Sequence, residues 1–198
     1  GMLLSEKIRL VAAFDHRDIF IDPNPDPAVS FAERKRMFAL PRSSWADYDK
    51  KAISKGGGVF SRSAKSIALT PEIRTILGLK QDKATPAEIM RAILLADAEL
   101  MWLGGIGTFV KATHEDNSRV GDKANESIRV NAAELRVKVL GEGANLGFTQ
   151  AARVEFSRAG GRLYSDAIDN SACVESSVHD VNIKILLSGA IEHGELKQ

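Results

Sequence analysis

The sequence predicts an α/β fold built on a mostly parallel sheet with helices on both faces. Three observations predict it. Short apolar runs alternate with amphipathic stretches along the chain, the trace left by parallel strands joined through helices. Helix starts are marked by threonine followed by proline, at Thr70-Pro71 and Thr85-Pro86. Clusters of glycine and polar residues come directly after the apolar runs, where the loops beyond the carboxyl ends of parallel strands bind ligands.

Residues 2–9 read as a helix with Leu3, Leu4 and Ile8 on its apolar side. Residues 10–14 form an apolar run closed by Asp15 and read as a buried strand. Pro23, Pro25 and Pro27 exclude regular structure across the following turn. Residues 30–38 and 44–53 read as helices. Thr70 and Thr85 each supply an acceptor for the free N–H groups of a helix start, and the proline after each loses no hydrogen bond there. Thr85 and Glu88 have capping-box spacing, and Gly78 stands where a helix ends. Residues 100–103 read as a strand running into Gly104-Gly105-Ile106-Gly107, residues 117–135 as mostly helix, and 137–140 as a strand opening onto Gly141-Glu142-Gly143-Ala144-Asn145. A helix over 149–158 stops at Gly160-Gly161. A short strand over 162–164 leads to Asp169-Asn170, and a long closing helix begins at Ser171, with its end in residues 183–198. Residues 1–198 thus read as one domain, with both ends expected to continue into a larger protein.

Hydrophobic residues at 44% and charged residues at 27% are enough for a packed core. A net charge of +1 gives no field to favour nucleic acid. The apolar runs are too short to span a bilayer, and no leader pattern opens the chain, so a cytoplasmic setting is expected. One cysteine, Cys173, forms no internal disulfide framework and reads as a small buried hydrophobe. Thr113-His114-Glu115-Asp116 packs metal-ligand types onto adjacent positions that do not converge on one ion, and His16, His179 and His193 are isolated, so no metal is assigned.

Several positions carry two readings. Asp15, at the end of a strand, suits hydrogen bonding to the hydroxyls of an adenosine ribose, or simply starts or caps a turn. Gly104, Gly105 and Ile106 let a cofactor approach the backbone, or form a tight turn. Glu142, Gly143 and Asn145 offer polar groups with little bulk, suited to a flat ring with a carboxamide, but pattern alone favours a capped strand-to-helix loop. Lys55-Gly56-Gly57-Gly58 sits in a locally basic, glycine-containing stretch, residues 31–66. It lacks the order of a nucleotide-triphosphate loop and reads as solvated loop or as contact to another domain.

Taken together, these segments resemble glutamate dehydrogenases. Val11 to Asp15 with Ile19 to Asn24, Val139 to Asn145, and Asp169 to Val174 are similar to family segments. Phe14-Asp15-His16-Arg17, Lys55 to Phe60, Gly104 to Thr108 and His179 to Lys184 are closer to the very large NAD-specific bacterial branch. The resemblance covers nearly the whole chain. It implies a Rossmann-like domain whose first strand and glycine-rich phosphate loop are missing here, with weak or no NAD binding in isolation. It implies NAD as cofactor, and L-glutamate and 2-oxoglutarate as substrate and product. It also implies a preceding substrate domain that holds the catalytic lysine and aspartate, so that no catalytic residue lies in this segment, and a homo-oligomeric parent. Residue by residue, Asp15 would hold the adenosine ribose and Gly104, Gly105 and Ile106 would lie along the cofactor. Asn145 and Asn170 would meet the nicotinamide end. Ser177 would bind the distal carboxylate of glutamate. Ala172 and Cys173 stand where shorter relatives have glycine. A dinucleotide domain acting on another amino acid, and an interaction or allosteric module within a large assembly, are the competing readings.

Overall fold

The computed structural model describes residues 2–143 and 145–194, apart from the side chains of Met2 and of residues 171–178. Its elements run β1 (Ala12–Phe14), β2 (Asp18–Ile21), α1 (Pro27–Phe38), β3 (Gly58–Ser61), β4 (Ile67–Ala68), α2 (Pro71–Leu77), β5 (Lys83–Ala84) and α3 (Pro86–Leu94). They continue with β6 (Leu100–Leu103), β7 (Val110–Lys111), α4 (Asn117–Val120), β8 (Val130–Asn131), β9 (Val139–Glu142), α5 (Gln150–Arg158), β10 (Arg162–Leu163), α6 (Asp166–Asp169) and α7 (Ser171–Glu192).

The architecture is mixed α/β, but the strands do not form one sheet. β6, β9 and β10 make a parallel sheet in the order β10-β9-β6, with Leu103 opposite Glu142 and Leu163 opposite Leu140. β1, β2 and β3 make a separate antiparallel sheet. Two small ladders, antiparallel β4-β5 and parallel β7-β8, complete the set among the described residues. The strand expected over residues 10–14 is therefore real but does not belong to the parallel sheet. After Phe14 the chain turns back at once: the Asp15 carboxylate accepts from the N–H groups of Arg17 (2.7 Å) and Asp18 (2.8 Å). A link that short permits only antiparallel pairing, because a parallel neighbour needs a crossover connection.

β2 is the centre of its sheet and is buried on both faces. Ile19 and Ile21 enter one core with Ile67, Ile73, Leu77, Ile89 and Ile128. Phe20 faces the other way, stacked on Trp45 (5.0 Å between ring centroids) and packed on Tyr48 (4.7 Å). A further core beneath the parallel sheet gathers Leu94, Leu103, Val110, Leu140, Phe148, Ala152 and Phe156. Phe14 touches both large cores and meets Phe109 edge-to-face at 5.9 Å. Completely burying one side chain such as Phe148 contributes roughly 1.5–3 kcal/mol, so the three clusters, not the short ladders, hold the chain together.

The helix punctuation was legible. Thr70 caps α2 through the Ile73 N–H, and Gly78 closes it at φ 67°. Thr85 and Glu88 form a reciprocal capping box on α3. Three expected helices are corrected. Residues 117–135 hold a helix only to Val120, broken by Gly121 at φ 80°, and then 3₁₀ turns and β8. Residues 44–53 form two 3₁₀ turns, because the carboxylates of Asp47 and Asp49 cap the chain locally and stop propagation. Residues 2–9 form a single 3₁₀ turn, Met2–Leu4.

Candidate functional site

The parallel sheet sets the site. Along β6 and β9, Met101, Leu103, Leu140 and Glu142 share the face beneath which α5 packs. Leu100, Trp102, Val139 and Gly141 share the opposite face, which stays open: Trp102 is 37% exposed and Leu100 and Val139 are each 40% exposed. Among the described residues, the helices expected on both faces pack against one. Because Leu103 lies opposite Glu142, the loops leaving β6 and β9 emerge side by side at the carboxyl edge. Gly104, Gly105, Ile106, Gly143 and Asn145 are thereby brought together.

The Trp102 indole explains two of the glycines. A Cβ on Gly141 would lie 2.3 Å from the indole, and one on Gly143 would lie 2.7 Å from it. Gly105 has open space around it, and Ile106 projects into solvent. The β6 loop is therefore bare backbone at the mouth of the edge.

Glu142 is fully buried, and its carboxylate faces inward rather than toward the edge. Its Oε1 accepts from Arg153 Nε (2.8 Å), and its Oε2 accepts from Arg153 Nη2 (3.0 Å) and the Phe148 N–H (3.2 Å). Arg153 also meets Asp166 at 3.0 Å. Hydrogen bonding to Glu142 raises the guanidinium's pKa against the effect of burial. Burial opposes the Asp166 charge, but the Leu146 N–H and Arg153 outweigh it and hold its pKa below the usual aspartate range. This triad ties the loop after β9 to α5 and α6. It holds Leu146 in the left-handed region (φ 56°), a conformation that costs a non-glycine residue energy.

Asn145 and Asn170 meet across the edge: Asn170 Nδ2 donates to Asn145 Oδ1 at 2.7 Å. Asp169 Oδ2 accepts from the Glu142 N–H at 3.0 Å, fixing the α6–α7 junction against β9. Asn170 is buried, and its Oδ1 has no hydrogen-bond partner among the described residues. A buried amide oxygen is seldom left unpaired, since the unmet acceptor costs about 1–3 kcal/mol. Sequence reasoning found Asn145 and Asn170 but missed Arg153, Asp166 and Trp102. Nothing in the sequence sets Arg153 apart; its pairing with a buried acid does.

Asp15 sits on the other sheet, in the hairpin turn. Its Oδ1 makes both turn bonds and its Oδ2 makes none among the described residues. The turn-capping reading therefore holds. Ser177 and Cys173 lie among the residues whose side chains fall outside the description. Among the described residues no group of three or more metal-ligating side chains converges, and no helix is long and apolar enough to cross a membrane.

Fold and edge define a class: an α/β domain with a small-residue, amide-bearing edge at the carboxyl end of a parallel sheet, the place where open α/β sheets bind ligands. Comparison with known proteins makes this specific. The sequence matches the family described as bacterial NAD-glutamate dehydrogenase, catalytic domain, over residues 1–198. It is 56% identical over 198 residues to the NAD-specific glutamate dehydrogenase of Pseudomonas aeruginosa and 55% identical over 203 residues to that of Mycobacterium tuberculosis. It is 52% identical over 198 residues to the protein of that name from Halomonas elongata. Each comparison covers 100% of this chain and 12% of the relative. The chain belongs to the bacterial NAD-glutamate dehydrogenase family.

Proposed function

We propose that this chain is the cofactor-platform segment of an enzyme that oxidatively deaminates L-glutamate to 2-oxoglutarate and ammonia with NAD. The observation that carries the reading is the Asn145–Asn170 pair at the carboxyl edge, with the buried Asn170 Oδ1 lacking a donor among the described residues. A carboxamide N–H₂ supplies such a donor, and Gly105 leaves open space at the mouth of the edge, while Gly141 and Gly143 are packed on the Trp102 indole. The residues present therefore fit a nicotinamide.

When bound, NAD supplies the hydride acceptor; the protein's part is to bind and orient it. Asn170 and Asn145 fix the carboxamide. Gly104, Gly105 and Ile106 border the dinucleotide. Glu142 acts through Arg153 and Asp166 by holding the loop that presents Gly143 and Asn145. Asp15 takes the adenosine ribose through its Oδ2, and Ser177 takes the distal carboxylate of glutamate. The first strand of the Rossmann-like sheet, its glycine-rich phosphate loop, the substrate domain and its catalytic lysine and aspartate belong to the rest of a homo-oligomeric polypeptide of the relatives' length.

Asn170→Ala in the full-length protein tests this. The expected outcome is a rise of about tenfold or more in the KM for NAD, the equivalent of one lost hydrogen bond in a desolvated site, with unfolding temperature little changed. An unchanged KM for NAD removes Asn170 from the cofactor site.

A further inference from the structure

A second site lies away from the parallel sheet, at the tip of the β1–β2 hairpin. There an open groove of about 600 Å³ is lined by His16, Arg17, Asp18, Ser44, Ala46, Ser61, Arg62 and Ser63. We propose that this groove binds a phosphate group, either free or carried by a nucleotide.

The first argument is strand pairing. Asp18 pairs with Ser61 across β2 and β3, and the Arg62 N–H donates to the Arg17 carbonyl at 2.8 Å. Arg17 and Arg62 are thus cross-strand neighbours. Like charges placed opposite each other destabilise a sheet unless something between them compensates. The second argument is charge. Arg17 makes no side-chain hydrogen bond or ion pair with the described residues, and Arg62 spends one N–H on the Asp15 carbonyl (3.2 Å). Asp18 is the only acid in the lining, set against two guanidiniums and an imidazole.

The third argument is chemistry. Guanidinium forks match phosphate oxygens bidentately, and hydroxyls add neutral donors. Ser61 and Ser63 lie 2.8 Å apart, oxygen to oxygen, beside Arg62. Of the basic stretch over residues 31–66, the groove uses Arg62. It shares no side chain with the amide edge, so binding of inorganic phosphate here reads independently of the nicotinamide end of the platform. The Asp15 turn forms its wall, so an anion held here also braces the turn that carries the ribose acid.

The test is calorimetric titration of the full-length protein with inorganic phosphate and with ADP, adenosine serving as the phosphate-free control. The comparison is with R17Q/R62Q. Saturable phosphate binding that weakens at least about tenfold in the double variant supports the site, since each lost charged fork is worth that much or more. Phosphate binding as tightly as ADP then points to the free anion, and ADP binding more tightly, with that advantage lost in R17Q/R62Q, points to a nucleotide. Unsaturable heats with wild-type protein, or phosphate affinity unchanged in R17Q/R62Q, overturn the proposal. So does ADP binding that adenosine equals. Melting curves guard against misfolding: phosphate should raise the wild-type melting temperature and not that of R17Q/R62Q, while without phosphate the double variant should melt no lower than wild type.

Discussion

At the scale of single residues the triad Glu142–Arg153–Asp166 decides whether the edge keeps its shape. Removing one member of a buried pair leaves an uncompensated charge, which costs about 3–5 kcal/mol. Arg153 retains Asp166 when Glu142 is lost, so Glu142→Ala belongs at the lower end, about 3 kcal/mol, measured by urea unfolding of the chain. The pKa of Asp166 is lowered by folding, so the folded state binds fewer protons there than the unfolded state. Its contribution is fully present above the unfolded aspartate value, near about 3.9, and is lost as pH falls from that value through the lower folded one. Asp166→Asn should therefore flatten the fall of stability below about pH 4, as read from melting temperature against pH. Gly141→Ala should drive a Cβ into the Trp102 indole, which sits on an open face and swings outward. A red shift in tryptophan emission and a loss of about 1–3 kcal/mol are expected. A blue or unshifted spectrum contradicts the packing. Asp15→Ala in the full-length protein should weaken the preference for NAD over NADP, and an unchanged preference removes Asp15 from the ribose role.

At the scale of elements, legibility followed the locality of the signal. The α2 and α3 boundaries were readable because Thr70, Gly78, Thr85 and Glu88 act within one helical turn. Thr85→Ala should accordingly cost about 1 kcal/mol, and an unchanged urea midpoint would show that the capping box contributes nothing. Strands β4, β5, β7 and β8 were not readable, since two residues carry no period and exist as strands only through their partners. The strand before Asp15 is instructive. An acid after an apolar run is compatible with a parallel crossover and with a hairpin, and the choice rests on two backbone N–H groups that sequence does not mark. The site was half legible for the same reason: glycines and asparagines at strand ends announce themselves, whereas Arg153 becomes distinctive only once Glu142 is known to be buried.

At the scale of the molecule, the open surfaces are as informative as the cores. Parallel sheets are normally covered on both faces, yet Leu100, Trp102 and Val139 are all more than one-third exposed. Along α7, Val181, Ile183, Ile185, Leu186 and Leu187 are exposed as well. The chain spans about 12% of the curated relatives it matches, so a polypeptide of that length has ample material to cover both. The measurement that bears most directly on the central claim is NADH formation by the purified full-length protein, offered NAD with L-glutamate, L-leucine or L-phenylalanine in turn. NADH formation that depends on glutamate, and falls away with the other two amino acids, is the predicted result. No glutamate-dependent NADH, or equal rates with leucine or phenylalanine, would contradict it.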